Sequence, residues 1–184
     1  MKNTIPNIIT LFRIVMVPVF AISIYYIDDP AASKRWIPFW IFLVCALSDA
    51  LDGILARALN ARTLIGTVLD PVADKLLLLV AFVMLTWKGL IPVWLMILVV
   101  SRDSIIVGGV LILNVVKPVV EITPRIWGKA TTFIQMLTIL MVLLESPSVT
   151  ILIWMTLSVT FISGFDYIIS GLRYLDSPHM EAPK

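Results

Sequence analysis

Cysteine, charge and internal repetition are all scarce in this chain of 184 residues. The single cysteine, Cys45, makes an intrachain disulfide impossible, so the sequence says nothing about redox compartment. Charged residues make up only 14% of the chain, fewer than a soluble domain of this length would carry. No repeat or low-complexity stretch divides it, and residues 1–184 are predicted to form a single domain. The net charge of +2 is unremarkable, and no nucleic-acid partner is expected.

Long apolar runs dominate the sequence instead. Hydrophobic residues make up 60% of the chain, and the mean hydropathy is +1.02. About 20 residues are needed to cross a bilayer core of about 30 Å. Six runs reach that length, at residues 8–27, 37–59, 66–87, 91–116, 129–145 and 149–174. They predict an all-α integral membrane protein, a bundle of six transmembrane helices. The first run lacks a small-residue cleavage site, which favours a retained span over a signal peptide.

The distribution of lysine and arginine predicts the orientation of this bundle. The odd-numbered loops hold only Lys34, Arg35 and Lys88. The even-numbered loops and both termini hold the larger set, which comprises Lys2, Arg57, Arg62, Lys117, Arg125, Lys129, Arg173 and Lys184. Because basic residues accumulate on the cytoplasmic side, both termini are predicted to be cytoplasmic. The end of span two and the start of span three then meet on that side.

Four aspartates stand at those two ends, Asp49 and Asp52 in span two and Asp70 and Asp74 in span three. One aspartate within a transmembrane helix costs about 2.5–3.5 kcal/mol, and clustered carboxylates also repel one another unless cations or protons neutralise them. Spacings of three and four residues place each pair on one helix face. Two facing carboxylate pairs supply the oxygen ligands that a hard cation prefers. The sequence therefore predicts a divalent-metal site at the membrane surface.

Small and basic residues accompany the aspartates. Gly53, Ala56 and Gly66 leave room for close helix approach or for a ligand, and Arg57 can hold a phosphate oxygen. This set suits metal-assisted phosphoryl chemistry with two ions and one carboxylate as general base. Two alternatives remain open. The acids could pair with Arg57 and Lys75 for structure alone, or they could form the site of a divalent-cation transporter, in which repeated halves are expected.

The pattern from Asp49 to Asp74, Asp-x2-Asp-Gly-x2-Ala-Arg-x8-Gly-x3-Asp-x3-Asp, resembles the signature of the CDP-alcohol phosphatidyltransferases. The segment 5–13 is similar to the usual opening of that family. The resemblance implies transfer of a phosphatidyl group from CDP-diacylglycerol to an alcohol, with release of CMP. It also implies two Mg²⁺ or Mn²⁺ ions, contact with membrane lipids and a homodimer. The expected location is a bacterial inner membrane, with the active-site cavity open to the cytoplasm.

The resemblance also assigns roles to residues. Asp74 is implied to be the catalytic base, and the metals are implied to be held by Asp49, Asp52, Asp70 and Asp74. The implied CDP pocket consists of Asp49, Asp52, Gly53, Ala56, Arg57, Gly66 and Asp70. Arg13, in span one, either faces the CDP diphosphate or snorkels to the cytoplasmic surface.

Two branches of the family, with different acceptor alcohols, fit the chain. Arg102 lies near mid-membrane, where a charge is costly unless it has a function. Arg102 and Lys129 are the two candidates for binding the acceptor's phosphate. The alternatives are an ion pair of Arg102 with Asp103 and a surface lysine at a helix start. Synthases that act on glycerol 3-phosphate usually carry further cations near positions 108–111 and 131. Because this chain lacks them, its sequence favours phosphatidylglycerol as the acceptor, as in cardiolipin synthases, with glycerol 3-phosphate as the alternative.

Overall fold

The computed structural model describes the backbone of residues 4–27, 35–59, 64–116 and 126–176. It describes side chains within residues 11–27, 35–48, 75–108 and 127–167 and at residue 169. Throughout these ranges the regular secondary structure is α-helical.

Six helices follow one another along the chain: α1 (Thr4–Tyr25), α2 (Trp36–Leu59), α3 (Leu64–Trp87), α4 (Val93–Val116), α5 (Ile126–Leu143) and α6 (Val149–Asp176). Each helix corresponds to one predicted span, which confirms the six-helix architecture. The largest difference is at the start of α1, which begins at Thr4 instead of residue 8. The hydrophobic runs therefore located the helices to within about one turn.

Short turns end α3 and α5 in the left-handed conformation that commonly closes a helix. After α3, Gly89 has a φ of 73°, and the amide of Leu90 donates to the carbonyl of Leu85 at 2.9 Å. After α5, Glu145 takes the equivalent position with a φ of 56°. Glycine adopts this conformation without steric cost, whereas glutamate does not. The carboxylate of Glu145 pairs with Arg35 Nε at 3.2 Å, which ties the turn to the start of α2.

The odd-numbered connections meet at one end of the bundle. Lys88 Nζ donates to the carbonyl of Ile27 at 2.7 Å and so joins the turn after α3 to the end of α1. Arg35 donates to the carbonyl of Val142 at 3.2 Å and joins the start of α2 to the end of α5. Successive helices therefore alternate in direction. The helix ends on either side of residues 60–63 lie at the opposite end of the bundle.

The interior combines an apolar core with buried polar side chains. An apolar core occupies the half near the odd-numbered connections, where the rings of Phe20 and Phe42 lie 5.5 Å apart and Ile24, Leu85 and Leu95 are fully buried. The buried polar side chains are Arg13, Arg102, Thr131, Gln135, Thr138, Thr156, Thr160 and Ser163, of which Thr138 and Thr156 lie in the same half as this core. Buried polar side chains therefore extend from this half through the middle of the bundle.

The outer surface is largely apolar. Large hydrophobic side chains are exposed on every described helix; examples are Leu11, Val15, Trp40, Val83, Ile97, Ile105, Phe133, Trp154 and Phe161. Among the described side chains, the segment Val149–Tyr167 of α6 is by length and composition apolar enough to cross a membrane alone, with a hydropathy of 1.6. Shorter apolar segments occur in α1, α2, α3 and α5. A surface that exposes this many large hydrophobic side chains is unusual for a water-soluble protein.

Candidate active site

The motif residues lie on two consecutive helices. α2 carries Asp49, Asp52, Gly53, Ala56 and Arg57, and α3 carries Gly66, Asp70 and Asp74. The backbone is helical at every one of these positions, so the three- and four-residue spacings do place each aspartate pair on one face. Their side chains lie outside those the structure describes. The predicted metal and CDP contacts of these residues therefore remain predictions.

The described part of the site begins one residue after Asp74. Lys75, on α3, extends its Nζ to Oδ2 of Asp103 on α4 at 2.9 Å. The Lys75 side chain is about one-third exposed and the Asp103 side chain less so, at 32% and 17%. This ion pair connects the helix that carries two of the motif aspartates to the helix that carries Arg102.

Arg102 is clamped at two points inside the bundle. Its side chain is only 7% exposed, and Nη1 donates to Oδ1 of Asp103 at 2.6 Å. Nη2 donates to the hydroxyl of Ser163 on α6. The ion pair with Asp103, which was the alternative explanation of Arg102, is therefore present. This ion pair does not use all the hydrogen-bond donors of the guanidinium, because five N–H groups are available and the buried Nε has no hydrogen-bond partner among the described residues.

Two glycines make room for the Arg102 side chain. A Cβ at Gly128 of α5 would lie 3.8 Å from Nη2, and a Cβ at Gly164 of α6 would lie 3.7 Å from Cγ. The guanidinium therefore reaches the first turn of α5. Lys129, the second predicted acceptor-binding residue, follows Gly128 directly but is exposed and lies about 100° further round the helix.

An apolar groove of about 280 Å³ runs between α4 and α6 beside Arg102. Its walls include Ile105, Thr160, Phe161 and Phe165. The groove is large enough for a few methylene groups and lies next to a buried cation, a combination that suits part of an amphiphilic molecule.

A polar seam, formed by Thr138 of α5 and Thr156 of α6, joins these two helices between Arg102 and the α5–α6 turn. The hydroxyl groups of Thr138 and Thr156 lie 2.7 Å apart. Gln135, one helical turn away on α5, is fully buried, yet neither its amide oxygen nor its amide nitrogen has a partner among the described residues. The sequence did not indicate this seam, because single threonines in apolar runs are compatible with any orientation.

Arg13 lies within the bundle, with only 2% of its surface exposed. It is close enough to Cys45 on α2 for its charge to act on the thiol. This burial argues against a side chain that snorkels to the surface, and contact of Arg13 with the CDP diphosphate stays a prediction.

Comparison with known proteins assigns these features to a class. A family model described as CDP-alcohol phosphatidyltransferase matches residues 3–162, which include the whole motif and five of the six helices. The match places the chain among transferases of phospholipid synthesis. It belongs to the CDP-alcohol phosphatidyltransferase family and is an enzyme of that class. The transporter alternative is thereby set aside.

Curated relatives fall into two groups by name. A probable phosphatidylglycerophosphate synthase of Mycobacterium tuberculosis (strain ATCC 25618 / H37Rv) is 34% identical over 173 residues, covering 91% of this chain and 81% of the relative. A CDP-diacylglycerol–glycerol-3-phosphate 3-phosphatidyltransferase of Bacillus subtilis (strain 168) is 30% identical over 180 residues, covering 89% of this chain and 92% of the relative. A cardiolipin synthase (CMP-forming) of Streptomyces coelicolor is 36% identical over 152 residues, covering 79% of this chain and 67% of the relative.

Proposed function

We propose that this enzyme transfers the phosphatidyl group of CDP-diacylglycerol to glycerol 3-phosphate and releases CMP. The observation that carries the choice of acceptor is the coverage of the relatives. Those named for phosphatidylglycerophosphate or glycerol 3-phosphate match 91% and 89% of this chain, against 79% for the cardiolipin synthase. This reverses the preference for phosphatidylglycerol that the missing cations suggested.

The charges around Arg102 support an anionic acceptor. Lys75, Arg102 and Asp103 together carry one net positive charge, and exposed Lys129 adds another at the start of α5. A phosphate monoester carries nearly two negative charges at neutral pH and forms strong charge-assisted hydrogen bonds with guanidinium groups. Arg102 is already held in place by α4 and α6, so it binds such a phosphate with little further loss of side-chain freedom.

Phosphatidylglycerol is the second candidate acceptor, and two observations favour it. Position 131, where a lysine is usual in the glycerol-3-phosphate branch, holds a threonine that is 1% exposed and donates to the carbonyl of Trp127 at 2.8 Å. The apolar groove beside Arg102 would accommodate part of a lipid chain. A phosphodiester with a single charge also needs fewer cations.

The donor half of the site rests on the motif aspartates. We assign Asp49, Asp52, Asp70 and Asp74 to two Mg²⁺ or Mn²⁺ ions, because four carboxylates on two helix faces form a hard-oxygen donor set. Such ions, when bound, neutralise charge on the diphosphate and on the departing CMP. Gly53, Ala56, Arg57 and Gly66 complete the CDP pocket.

The proposed reaction is a direct displacement. The acceptor hydroxyl attacks the phosphatidyl phosphorus, and a new P–O bond forms while the bond to the CMP oxygen breaks. Asp74 takes the hydroxyl proton, and CMP leaves with the electron pair of the broken bond. Arg102 fixes the acceptor's phosphate so that the hydroxyl is held toward the diphosphate.

The apolar outer surface supports placement of the bundle in a membrane. A surface with so many exposed large hydrophobic side chains is unfavourable in water but suits lipid, and buried polar side chains are typical of membrane bundles. We propose six transmembrane helices in the bacterial inner membrane, with both termini and the active-site cavity on the cytoplasmic side. We also propose that the enzyme acts as a homodimer.

An acceptor panel tests the proposed function. Purified enzyme in detergent would receive CDP-diacylglycerol, Mg²⁺ or Mn²⁺, and either glycerol 3-phosphate or phosphatidylglycerol, with CMP and the lipid product measured together. We expect product with glycerol 3-phosphate and loss of CMP release when the metal is chelated. Product with phosphatidylglycerol alone would overturn the acceptor assignment, and full activity in chelator would overturn the metal assignment.

A further inference from the structure

One carboxylate, that of Asp103, holds two cations from different helices. Its Oδ2 accepts from Lys75 Nζ at 2.9 Å, and its Oδ1 accepts from Arg102 Nη1 at 2.6 Å. Both oxygens are therefore engaged, each by a charged donor, in a largely buried position with 17% of the side chain exposed. Charge-assisted hydrogen bonds of this kind are short and directional, so they fix the orientation of their donors.

The position of Asp103 gives these contacts a functional consequence. Lys75 directly follows Asp74, the proposed base, on α3, and Arg102 is the proposed ligand of the acceptor's phosphate on α4. The two ion pairs of Asp103 thus link the helix of the base to the side chain that holds the acceptor. Without this carboxylate, Arg102 would keep only the hydroxyl of Ser163 among its described partners.

We propose that Asp103 is a positioning residue for the transfer reaction, holding Arg102 at a set distance from the α3 helix so that the acceptor hydroxyl faces the diphosphate. Asp103 itself does not contact the substrate. The inference rests on the proposed role of Arg102 in acceptor binding. It adds a residue that lies outside both the aspartate motif and the acceptor-binding pair.

The sign of one kinetic change distinguishes positioning from simple charge balance. If Asp103 only moderated the positive charge, its neutralisation would strengthen attraction for the acceptor's phosphate and lower the acceptor KM. If it positions Arg102, its neutralisation loosens the guanidinium and raises the acceptor KM. A purely structural role would lower the thermal stability or yield and leave both KM values unchanged in the folded fraction.

The test uses Asp103→Asn and Asp103→Glu in the full-length enzyme. Initial rates would be measured against glycerol 3-phosphate at saturating CDP-diacylglycerol, and against CDP-diacylglycerol at saturating acceptor. If the panel selects phosphatidylglycerol, that lipid in mixed micelles replaces glycerol 3-phosphate. For Asp103→Asn we expect a rise in acceptor KM of roughly tenfold, with the CDP-diacylglycerol KM changed by less than about twofold. Asp103→Glu, which keeps the charge, should recover part of the loss.

Glu145→Gln is the matched control, because it removes the carboxylate of another inter-helix ion pair, in the turn after α5, which does not contact Arg102. Its KM values should equal those of the wild type. An unchanged or lowered acceptor KM in Asp103→Asn would overturn the inference. If Asp103→Asn does not fold, Asp103→Glu and Ser163→Ala test the inference instead. Each disturbs one hydrogen-bond partner of Arg102, so each should raise the acceptor KM, and unchanged KM values in both would overturn the inference.

A third variant separates this inference from the proposed function. If Arg102→Gln leaves the acceptor KM unchanged, the acceptor assignment itself is wrong. If Arg102→Gln raises the acceptor KM and the Asp103 variants do not, the positioning role alone is wrong.

Discussion

Replacement of Arg102 by glutamine tests the acceptor site with little disturbance of the fold. Removing one member of a buried ion pair usually strands its partner at a high cost. Here Asp103 would keep its contact with Lys75 at 2.9 Å, so the carboxylate would not be left without a cation. We therefore expect folded protein with only a modest loss of stability.

The expected kinetic loss follows from the bonds that the guanidinium can offer. A hydrogen bond to a charged group contributes about 1.5–3 kcal/mol, and about 1.4 kcal/mol corresponds to a factor of ten. Loss of the contact between Arg102 and the acceptor's phosphate should thus lower kcat/KM for the acceptor roughly 10- to 140-fold. Arg102→Lys keeps the charge but loses the planar fork, so it should fall between the wild type and Arg102→Gln.

The assay is steady-state CMP release with the acceptor varied, paired with a binding measurement for CDP-diacylglycerol. The donor affinity should stay near that of the wild type, since the donor half of the site is assigned to other residues. A kcat/KM for the acceptor within about threefold of the wild type would refute the reasoning, because even a weak hydrogen bond to a charged group contributes more than that. An equal loss for donor and acceptor would point to a general structural defect.

Three other substitutions test separate parts of the molecule. Asp74→Asn should lower turnover by about 10²-fold or more while CDP-diacylglycerol still binds, and near-wild-type turnover would show that Asp74 is not the base. Gly164→Ala should be tolerated, because its Cβ would lie 3.7 Å from Arg102 Cγ, whereas Gly164→Leu should displace that side chain and raise the acceptor KM; equal kinetics for the two would contradict this packing. Gln135→Leu should raise the midpoint of thermal unfolding in detergent, because each unpaired buried polar group costs about 1–3 kcal/mol. A lower midpoint would instead show that the amide has a partner such as a buried water.

The fold was predictable because its information is local. Each helix is one predominantly apolar run, and the breaks between runs contain turn-forming residues such as Lys88-Gly89. The conformations within those breaks were less accessible. Gly89 is an expected residue for a φ of 73°, but nothing near Glu145 indicated that a glutamate would take a φ of 56°. Its ion pair with Arg35 depends on a contact between residues 110 positions apart, which no local pattern reveals.

The candidate site likewise has features that local sequence reveals and contacts between distant residues that it does not. The aspartate motif was visible because helical periodicity converts spacing along the chain into a shared face, and Arg102 was visible because a charge within an apolar run is unusual. The ion pair of Arg102 with the adjacent Asp103 was among the sequence alternatives, whereas the contacts of Arg102 with Ser163 and of Lys75 with Asp103 were not accessible. The sequence alternative paired Lys75 with the motif acids, whose side chains lie outside the described ones; the described contact of its ammonium is with Asp103, 28 residues away. Ser163 lies 61 residues from Arg102 and looks like any serine in an apolar helix.

The difference between a local motif and long-range contacts explains why the acceptor is harder to infer from sequence than the donor. Relatives named for different products match this chain with similar identities, 34% and 30% in one group and 36% in the other. Percent identity therefore does not discriminate between the acceptors, and only the larger share of the chain covered favours glycerol 3-phosphate. A motif confined to one helical hairpin can persist while side chains on α4, α5 and α6 change, because the two sets are joined only by tertiary contacts. The choice of acceptor should consequently depend on a few residues around Arg102. Substitutions there should change the acceptor KM or the acceptor preference and leave CDP-diacylglycerol binding intact.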